Sequence, residues 1–160
     1  MSIWFTADTH FGEQPKARQR ATGLSAQELD TLIERRWRET VAADDKVWHL
    51  GDVGDWRRLA GLPGTKHLIF GNNDKGRREI TASGIFASTG TYAMMSEMAG
   101  EMYFVHDPAN VAEPDNYVVV HGHLHALSLS EPDFISVSVD CRDWAPISLG
   151  DILAIALEAN

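Results

Sequence analysis

Five apolar runs in this sequence each end next to residues that bind metals, and this repetition constrains the fold more than any other feature. The runs are IWFTA, KVWHL, KHLIF, MYFV and NYVVV, and they are followed by Asp8, Gly51, Gly71, His106 and His121. Short apolar runs bounded by turn residues are typical of buried strands. Side chains at the ends of such strands share one edge of an open sheet, where α/β proteins bind their ligands. The sequence therefore predicts one site built from several strand ends.

Strands are predicted at residues 2–7, 46–50, 66–70, 92–97, 101–105, 116–120 and 134–139, with a hairpin turn at Ala99-Gly100. Ser25 and Glu28 form a capping box, and the apolar residues that follow recur at helical spacing, which predicts a helix from Ser25 to about Val41. Shorter helices are predicted to begin at Asp55, Asp74 and Ser148, and residues 8–23 are predicted as a polar strand-to-helix loop.

Helices are thus concentrated in the first half of the chain and strands in the second. This order favours an α/β fold in which two sheets pack face to face with helices outside. A chain of 160 residues is long enough to bury a sizeable core, and a single domain covering residues 1–160 is predicted.

Composition excludes several classes of protein. The net charge of −9 argues against holding a nucleic acid by bulk electrostatics, so no stable nucleic acid binding is expected. No apolar run approaches the roughly 20 residues that span a bilayer, and no membrane association is expected. The single cysteine, Cys141, excludes an internal disulfide and fits a reducing compartment. The N-terminal run is too short for a signal peptide, and a cytoplasmic location is predicted.

The residue types at the strand ends match divalent transition metals. Carboxylate and amide oxygens suit manganese and iron(II), and imidazole suits zinc, iron and nickel. A single cysteine rules out a thiolate site. Two aspartates, an asparagine and at least four histidines are more ligands than one metal uses, which favours two metals.

The ordered motifs Asp-x-His, Gly-Asp, Gly-Asn-x-Asp, His and Gly-His-x-His resemble the calcineurin-like metallophosphoesterases. The residues that carry this resemblance are Asp8, His10, Gly51, Asp52, Gly71, Asn72, Asp74, His106, Gly122, His123 and His125. Beyond them, residues 136–149 look like the tail of the small bacterial and phage-type members. Any one motif alone is weak, whereas the full ordered set is highly specific.

The resemblance implies a four-layer α/β/β/α sandwich of two mixed sheets with a dinuclear metal centre. By analogy, one metal would be held by Asp8, His10 and His125, and the other by Asn72, His106 and His123. Asp52 would bridge the two metals and belong to the catalytic centre. A hydroxide between the metals would attack the phosphorus of a phosphoester substrate, either a small molecule or a nucleotide.

Three further residues are given supporting roles. Asp74 usually braces this motif in the family. His49 lies inside a strand, and we expect it to orient a ligand by a hydrogen bond rather than to bind metal. Many relatives have a histidine after the asparagine ligand, whereas this chain has Asn73. An amide can donate a hydrogen bond to phosphate but cannot act as a general acid, which favours phosphodiesters with good leaving groups.

Some alternatives stay open at this stage. Trp56 and Trp144 are near the predicted site loops, and either could stack on a substrate or belong to the core. Lys75, Arg77 and Arg57 are the nearest cations for a phosphate oxygen, or are simply solvated. A hydrophobic face around the methionine-rich hairpin could support a homodimer. A non-catalytic binding scaffold that keeps the fold is the alternative function.

Overall fold

The computed structural model describes residues 1–97, 100–111, 117–127 and 133–158. Its first sheet has five strands in the order β4-β3-β2-β1-β9. The first four of these are parallel, and β9 pairs with β1 in the antiparallel direction. The strand bounds are β1 (Ile3–Thr6), β2 (Lys46–His49), β3 (Thr65–Ile69), β4 (Phe86–Gly90) and β9 (Ile147–Ser148).

The second sheet has four strands in the order β5-β6-β7-β8. The hairpin partners β5 and β6 are antiparallel, while β6-β7 and β7-β8 are parallel. The bounds are β5 (Tyr92–Glu97), β6 (Gly100–Val105), β7 (Tyr117–His121) and β8 (Phe134–Ser136). Two mixed sheets accompanied by helices confirm the predicted α/β class.

The long helix α2 (Ala26–Thr40) covers the outer face of the first sheet. Ser25 caps it through the predicted capping box, in which Ser25 Oγ accepts from the backbone N–H of Glu28 and the Glu28 carboxylate accepts from that of Ser25. Its buried side chains Leu29, Ile33 and Trp37 belong to the same core cluster as Val47 and Leu68 of the sheet. This helix confirms the prediction for residues 25–41.

A second core cluster lies between the two sheets. Alternation along β2 turns Val47 toward α2 and Trp48 toward the opposite sheet. Phe5 of the first sheet meets Phe104 of the second edge to face, with ring centroids 4.9 Å apart. Helix α4 (Leu149–Glu158) adds Ile152 and Ala156 to this cluster and contacts β9, β1 and β8.

Three predictions of local structure were wrong. The predicted loop 8–23 contains helix α1 (Gln14–Gln19), which begins with Pro15 near its first position. The helix predicted to begin at Asp74 is α3 (Arg77–Ala82), because the Asp74 carboxylate is engaged with backbone N–H groups elsewhere. The last predicted strand, 134–139, ends at Ser136, after which residues 139–141 form a 3-10 turn.

Strands β4 and β9 were not predicted at all. Two further 3-10 helices are Trp56–Gly61 and Pro108–Asn110. The first of them is close to the predicted helix from Asp55 to Gly61. Residue 99 of the predicted hairpin turn and residue 116 of the predicted strand 116–120 lie outside the described residues. Among the helices of the described residues, none is both long and apolar enough to cross a bilayer.

The carboxylate of Asp45 joins three parts of the fold near the start of β1. It accepts hydrogen bonds from the backbone N–H groups of Ser2 and Ala42 and from the indole of Trp4, and these bonds lower the pKa of Asp45 below its usual value. A group whose pKa is lower in the folded state stabilises the fold above its unfolded pKa of about 4. This stabilisation is lost as the pH falls below that value.

We predict that Asp45→Asn lowers the melting temperature at neutral pH, because an amide nitrogen cannot accept these hydrogen bonds. The substitution should also flatten the fall in melting temperature between about pH 5 and pH 3. Thermal unfolding followed by circular dichroism measures both effects. Asp44→Asn is the matched control, since the Asp44 side chain is 75% exposed. An acid response equal to that of the wild type in Asp45→Asn would contradict this account.

Candidate metal centre

The structure brings all seven predicted metal ligands together at the ends of five strands. Asp8 and His10 follow β1, Asp52 follows β2, Asn72 follows β3, His106 follows β6, and His123 and His125 follow β7. The Asn72 Oδ1 atom lies 3.0 Å from His106 Nε2 and 3.1 Å from His123 Nδ1. Asp52 lies between two imidazoles, with Oδ2 3.6 Å from His10 Nε2 and Oδ1 3.5 Å from His106 Nε2.

Two overlapping groups of these side chains are compact enough to hold an ion. The ligand atoms of Asp8, His10 and His125 lie within 4.8 Å of one another, and so do those of Asp8, Asp52 and His106. The first group is the set that the family resemblance implied for one metal. Asp8 belongs to both groups, so the two positions are adjacent.

The backbone is strained at most of these residues. Five of the seven have a positive φ: Asp8 (58°), His10 (46°), Asp52 (58°), His123 (70°) and His125 (54°). Non-glycine residues rarely adopt this conformation, and clusters of such residues are typical of functional sites. The strain is therefore concentrated where the side chains converge.

Two glycines of the motifs are required by close approach rather than by strain. A Cβ at Gly71 would lie 2.2 Å from Asp52 Oδ1, and one at Gly122 would lie 2.6 Å from the Cβ of Ala7. Neither contact is sterically possible for a larger residue. The glycine before each of these ligand loops lets the loops pack directly against one another.

Asp74 and His49 support the loops without belonging to the ligand group. Asp74 accepts hydrogen bonds from the backbone N–H groups of Gly71 (2.7 Å), Asp52 (2.9 Å) and Val53 (2.9 Å), and so ties two ligand loops together. His49 is fully buried, and its Nε2 lies 3.0 Å from Thr9 Oγ1, in the loop between Asp8 and His10. This contact joins the side chain of His49 to that of Thr9, the residue between two predicted ligands.

Three of the four imidazoles are oriented by an acceptor on their Nδ1 atom. His125 Nδ1 lies 2.8 Å from Asp140, His10 Nδ1 lies 3.1 Å from Glu13, and His106 Nδ1 lies 2.7 Å from the carbonyl oxygen of Leu50. Each acceptor favours a ring proton at Nδ1, so that Nε2 is the atom that would bind a metal, although the Nε2 atom of His106 also lies 3.0 Å from Asn72 Oδ1 and 3.5 Å from Asp52 Oδ1. Histidine ligands in metal sites are commonly held in this way.

Two of the buried groups, His10 and Asp52, have protonation states that fit a metal site, whereas the pKa of His106 shifts the other way, because burial is outweighed by hydrogen bonding to Asp52, which raises it. Burial lowers the pKa of His10 to about 3, so its imidazole is neutral at pH 7. Burial opposes the ionisation of Asp52, but hydrogen bonding to His106 and Asn73 outweighs it and lowers the pKa of Asp52. Neutral imidazole and ionised carboxylate are the forms that bind metals.

Two buried groups of the site, the Asp8 carboxylate and His10 Nε2, would each be stabilised by a bound cation. Burial raises the pKa of Asp8, because its charged form is deprived of water. A nearby cation would offset this cost. His10 Nε2 is buried and has no hydrogen-bond partner among the described residues. The residues present therefore fit a bound divalent metal.

Asp140 and its partner Arg20 were not predicted from the sequence. Arg20 on the C-terminal side of α1 binds both carboxylate oxygens of Asp140, at 2.9 and 3.0 Å, and its guanidinium also donates to the backbone oxygens of Asp8 and Thr9. The carboxylate in turn contacts His125. A single buried ion pair thus links the loop after β1 to the loop after β7.

Asn73 is an exposed residue, and both its backbone and its side-chain amide donate to Asp52. Its backbone N–H donates to Asp52 Oδ1 at 2.9 Å, and its side-chain amide donates to Asp52 Oδ2 at 2.6 Å. Of the predicted cations, Arg77 donates to the carbonyl oxygen of Gly71, and Arg57 pairs with Glu79 on the surface.

A family model for the calcineurin-like phosphoesterase superfamily domain matches residues 1–139, which include all seven predicted ligands. The chain belongs to this superfamily. The resemblance inferred from the ordered motifs is confirmed. The phosphoesterase family as a whole uses divalent metals, in agreement with the ligand groups described above.

Two phage proteins are similar to part of this chain. The Gene 66 protein of Mycobacterium phage L5 is 33% identical over 84 residues, and that of Mycobacterium phage D29 is 34% identical over 83 residues. Each match covers 46% of this chain, and they cover 40% and 41% of the phage proteins. The chain therefore spans less than half of the length of these relatives.

Two solved structures share the fold. A protein of unknown function from Aquifex aeolicus has a TM-score of 0.77 at 21% identity, covering 94% of this chain and 97% of that chain. A novel archaeal phosphodiesterase has a TM-score of 0.50 at 17% identity, covering 93% of this chain and 99% of that chain. At these identities the likeness establishes the fold alone.

We predict that Asp140→Asn weakens metal binding by about 10- to 100-fold, because His125 loses the carboxylate that orients it. Competition between the protein and a chromogenic chelator for Mn²⁺ or Zn²⁺ measures the affinity without any activity assay. Asp143→Asn is the matched control, since this aspartate is three residues away and its side chain is 76% exposed. Equal metal affinities for wild type and Asp140→Asn would show that Asp140 does not position a ligand.

Proposed function

We propose that this chain is a dinuclear-metal-dependent phosphoesterase that prefers phosphodiesters. The observation that supports it most is the convergence of seven ligand-type side chains in which three imidazoles are each held at Nδ1 by an acceptor. Structural ion pairs do not require this shared orientation. The ions would be manganese, iron, zinc or nickel, which suit carboxylate, amide and imidazole ligands.

In this proposal Asp8, His10 and His125 hold one ion and Asn72, His106 and His123 hold the other. The bridging role of Asp52 is supported by its two oxygens, since Oδ2 lies near His10 and Oδ1 lies near His106. Bound divalent ions supply a nucleophile from water at neutral pH and neutralise the phosphoryl oxygens as charge develops. The protein fixes the ligands through Asp74, Glu13 and Asp140.

Substrate access is supported by exposure on one side of the group. The His123 and His125 side chains are 35% and 27% exposed, and Asn72 is exposed, whereas Asp8, His10 and Asp52 are buried. A phosphoester can therefore approach from the side of these histidines while the carboxylates stay out of water. Exclusion of water strengthens every electrostatic interaction with the substrate.

The preference for diesters rests on Asn73. Its amide holds a proton at Nδ2 that it donates to Asp52 Oδ2, and it cannot release this proton to a leaving group. A missing general acid costs on the order of 10²–10⁴ in rate. This cost is largest for poor leaving groups such as alkoxides, so esters with acidic leaving groups would be favoured.

The alternative is a non-catalytic scaffold that retains the fold. A decayed site should have lost some of its ligands, but the seven side chains and the residues that orient them are all present. The orientation of imidazoles by Glu13 and Asp140 has no use in a site that binds no metal. These observations favour the enzyme.

We predict that the chelator-treated protein is inactive and that added Mn²⁺ restores hydrolysis of bis(4-nitrophenyl) phosphate, with activity reaching a plateau at two equivalents of metal per chain. Elemental analysis counts the bound ions independently. Asp52→Asn is the control, because it is nearly isosteric and should lose at least ~100-fold in turnover while remaining folded.

Two results would count against the proposal in different ways. Binding of at most one equivalent under saturating manganese, nickel, iron and zinc would exclude the dinuclear centre. Two bound equivalents without hydrolysis of any phosphoester would instead favour the non-catalytic scaffold.

We also predict that Asn73→His improves hydrolysis of an alkyl monoester such as glycerol 2-phosphate relative to bis(4-nitrophenyl) phosphate, because an alkoxide leaving group needs a proton and 4-nitrophenolate does not. An imidazole at this position could protonate the leaving group, and general acid catalysis typically contributes 10²–10⁴ in rate, so an improvement of about 10-fold or more is expected. Steady-state kinetics on both substrates give the ratio. Asn73→Gln, which keeps the amide, should not change the preference. A wild type that already cleaves alkyl monoesters faster than diesters would refute the role assigned to Asn73.

A further inference from the structure

A cavity of about 480 Å³ lies beside the candidate metal centre, on the side of His123 and His125. Helix α1 forms one wall with Lys16, Gln19 and Arg20, and the loop after β7 forms another with Leu124, Ala126 and Leu127. Trp144 also lines the cavity. Its volume is within the range of pockets that bind small organic molecules.

The indole of Trp144 is positioned at this wall by its backbone and by contact with the core. Trp144 and Asp143 both have positive φ values, 63° and 49°, and the Trp144 backbone N–H donates to the carbonyl oxygen of Val139 at 3.1 Å. One part of the ring packs against the first core cluster, and the side chain is only half-buried. Strained backbone that fixes an accessible aromatic ring is typical of a binding site.

The remaining lining favours an apolar, planar ligand next to an anion. Leu127 is 71% exposed, although it borders the cavity, and it extends the apolar surface beyond Trp144. Arg20 is committed to Asp140, whereas Lys16 forms no ion pair within 4 Å in the part of the chain that the structure describes. Lys16 is therefore the cation of this cavity that is available to a ligand.

A second cavity of about 200 Å³ is bordered by Asn72, His106 and Arg77. The two cavities are of unequal size, and they border different candidate ligands, His123 and His125 in one case and Asn72 and His106 in the other. A phosphate monoester has one organic substituent, whereas a phosphodiester has two, one for each cavity. Two such cavities match a diester better than a monoester.

We propose that the larger cavity binds a planar aromatic group of the nucleobase type, carried by one ester substituent of the phosphodiester. This inference rests on the proposed function, because it names the substrate class of the same site. The base stacks on Trp144 and contacts Leu127, and Lys16 lies near the anionic phosphate. Stacking on an aromatic side chain tolerates every base, because each has a π-face.

The test compares two diesters with the same leaving group: the 4-nitrophenyl ester of thymidine 5'-phosphate and methyl 4-nitrophenyl phosphate. The wild type should have a kcat/KM about 10-fold or more higher for the nucleoside ester, as expected for one stacked base. Trp144→Ala should remove this advantage, so that its kcat/KM for the nucleoside ester falls to about that for the methyl ester, and Trp144→Phe should keep part of the advantage.

Trp56→Ala is the matched control. Trp56 is also half-buried, packs against the same core cluster and has an arginine over its ring, with Arg57 4.4 Å from the centroid compared with 5.4 Å for Arg20 and Trp144. It does not line the larger cavity. Its removal should therefore leave the nucleoside preference unchanged.

Calorimetric titration with thymidine 5'-phosphate separates this inference from the proposed function. If neither ester is cleaved, the proposed function fails, and weaker binding to Trp144→Ala than to wild type still supports the cavity. If both esters are cleaved at the same rate, the function stands and the inference is overturned. Equal binding of the nucleotide to wild type and Trp144→Ala overturns it as well.

Discussion

The Asp8 and Asp52 carboxylates are buried at the strand ends, and the close packing of the loops around them follows from this burial. Both are almost completely removed from water, and burying a carboxylate is costly unless it is paired or bound to a metal. Hydrogen-bond donors of neighbouring loops offset part of this cost. Asp8 accepts from the backbone N–H of His123, and Asp52 accepts two hydrogen bonds from Asn73. The strained backbone and close glycine contacts at the strand ends follow from bringing these loops so close together.

The convergence of the seven candidate ligands could be predicted because their signal is local and repeated. Each lies at or soon after the end of an apolar run, and the run identifies the strand that positions it. Asp140 and Arg20 could not be found in this way, since they are 120 residues apart and meet only in the folded chain. Glu13 is close to His10 in sequence, but the segment that contains it was predicted as loop, and its short helix has weak apolar periodicity.

The errors in the predicted elements have a similar physical origin. β9 has only two residues and β4 has the sequence FASTG, so neither carries enough apolar alternation to be distinguished from a turn. Asp74 is a residue type that commonly caps helices. In this structure its carboxylate instead accepts hydrogen bonds from the backbone N–H groups of two neighbouring loops. Tertiary contacts can thus override the local helix-capping preference of a residue, as they do for Asp74 beside the candidate metal centre.

The proposed function depends on Asp52 connecting two metal ions in one centre. Electron paramagnetic resonance of the protein loaded with two equivalents of Mn²⁺ distinguishes this arrangement from two separate sites, because ions that share a bridging carboxylate are magnetically coupled. We expect the spectrum of a coupled pair in the wild type and altered or lost coupling in Asp52→Asn. The hyperfine pattern of isolated Mn²⁺ ions in the wild type would contradict this expectation.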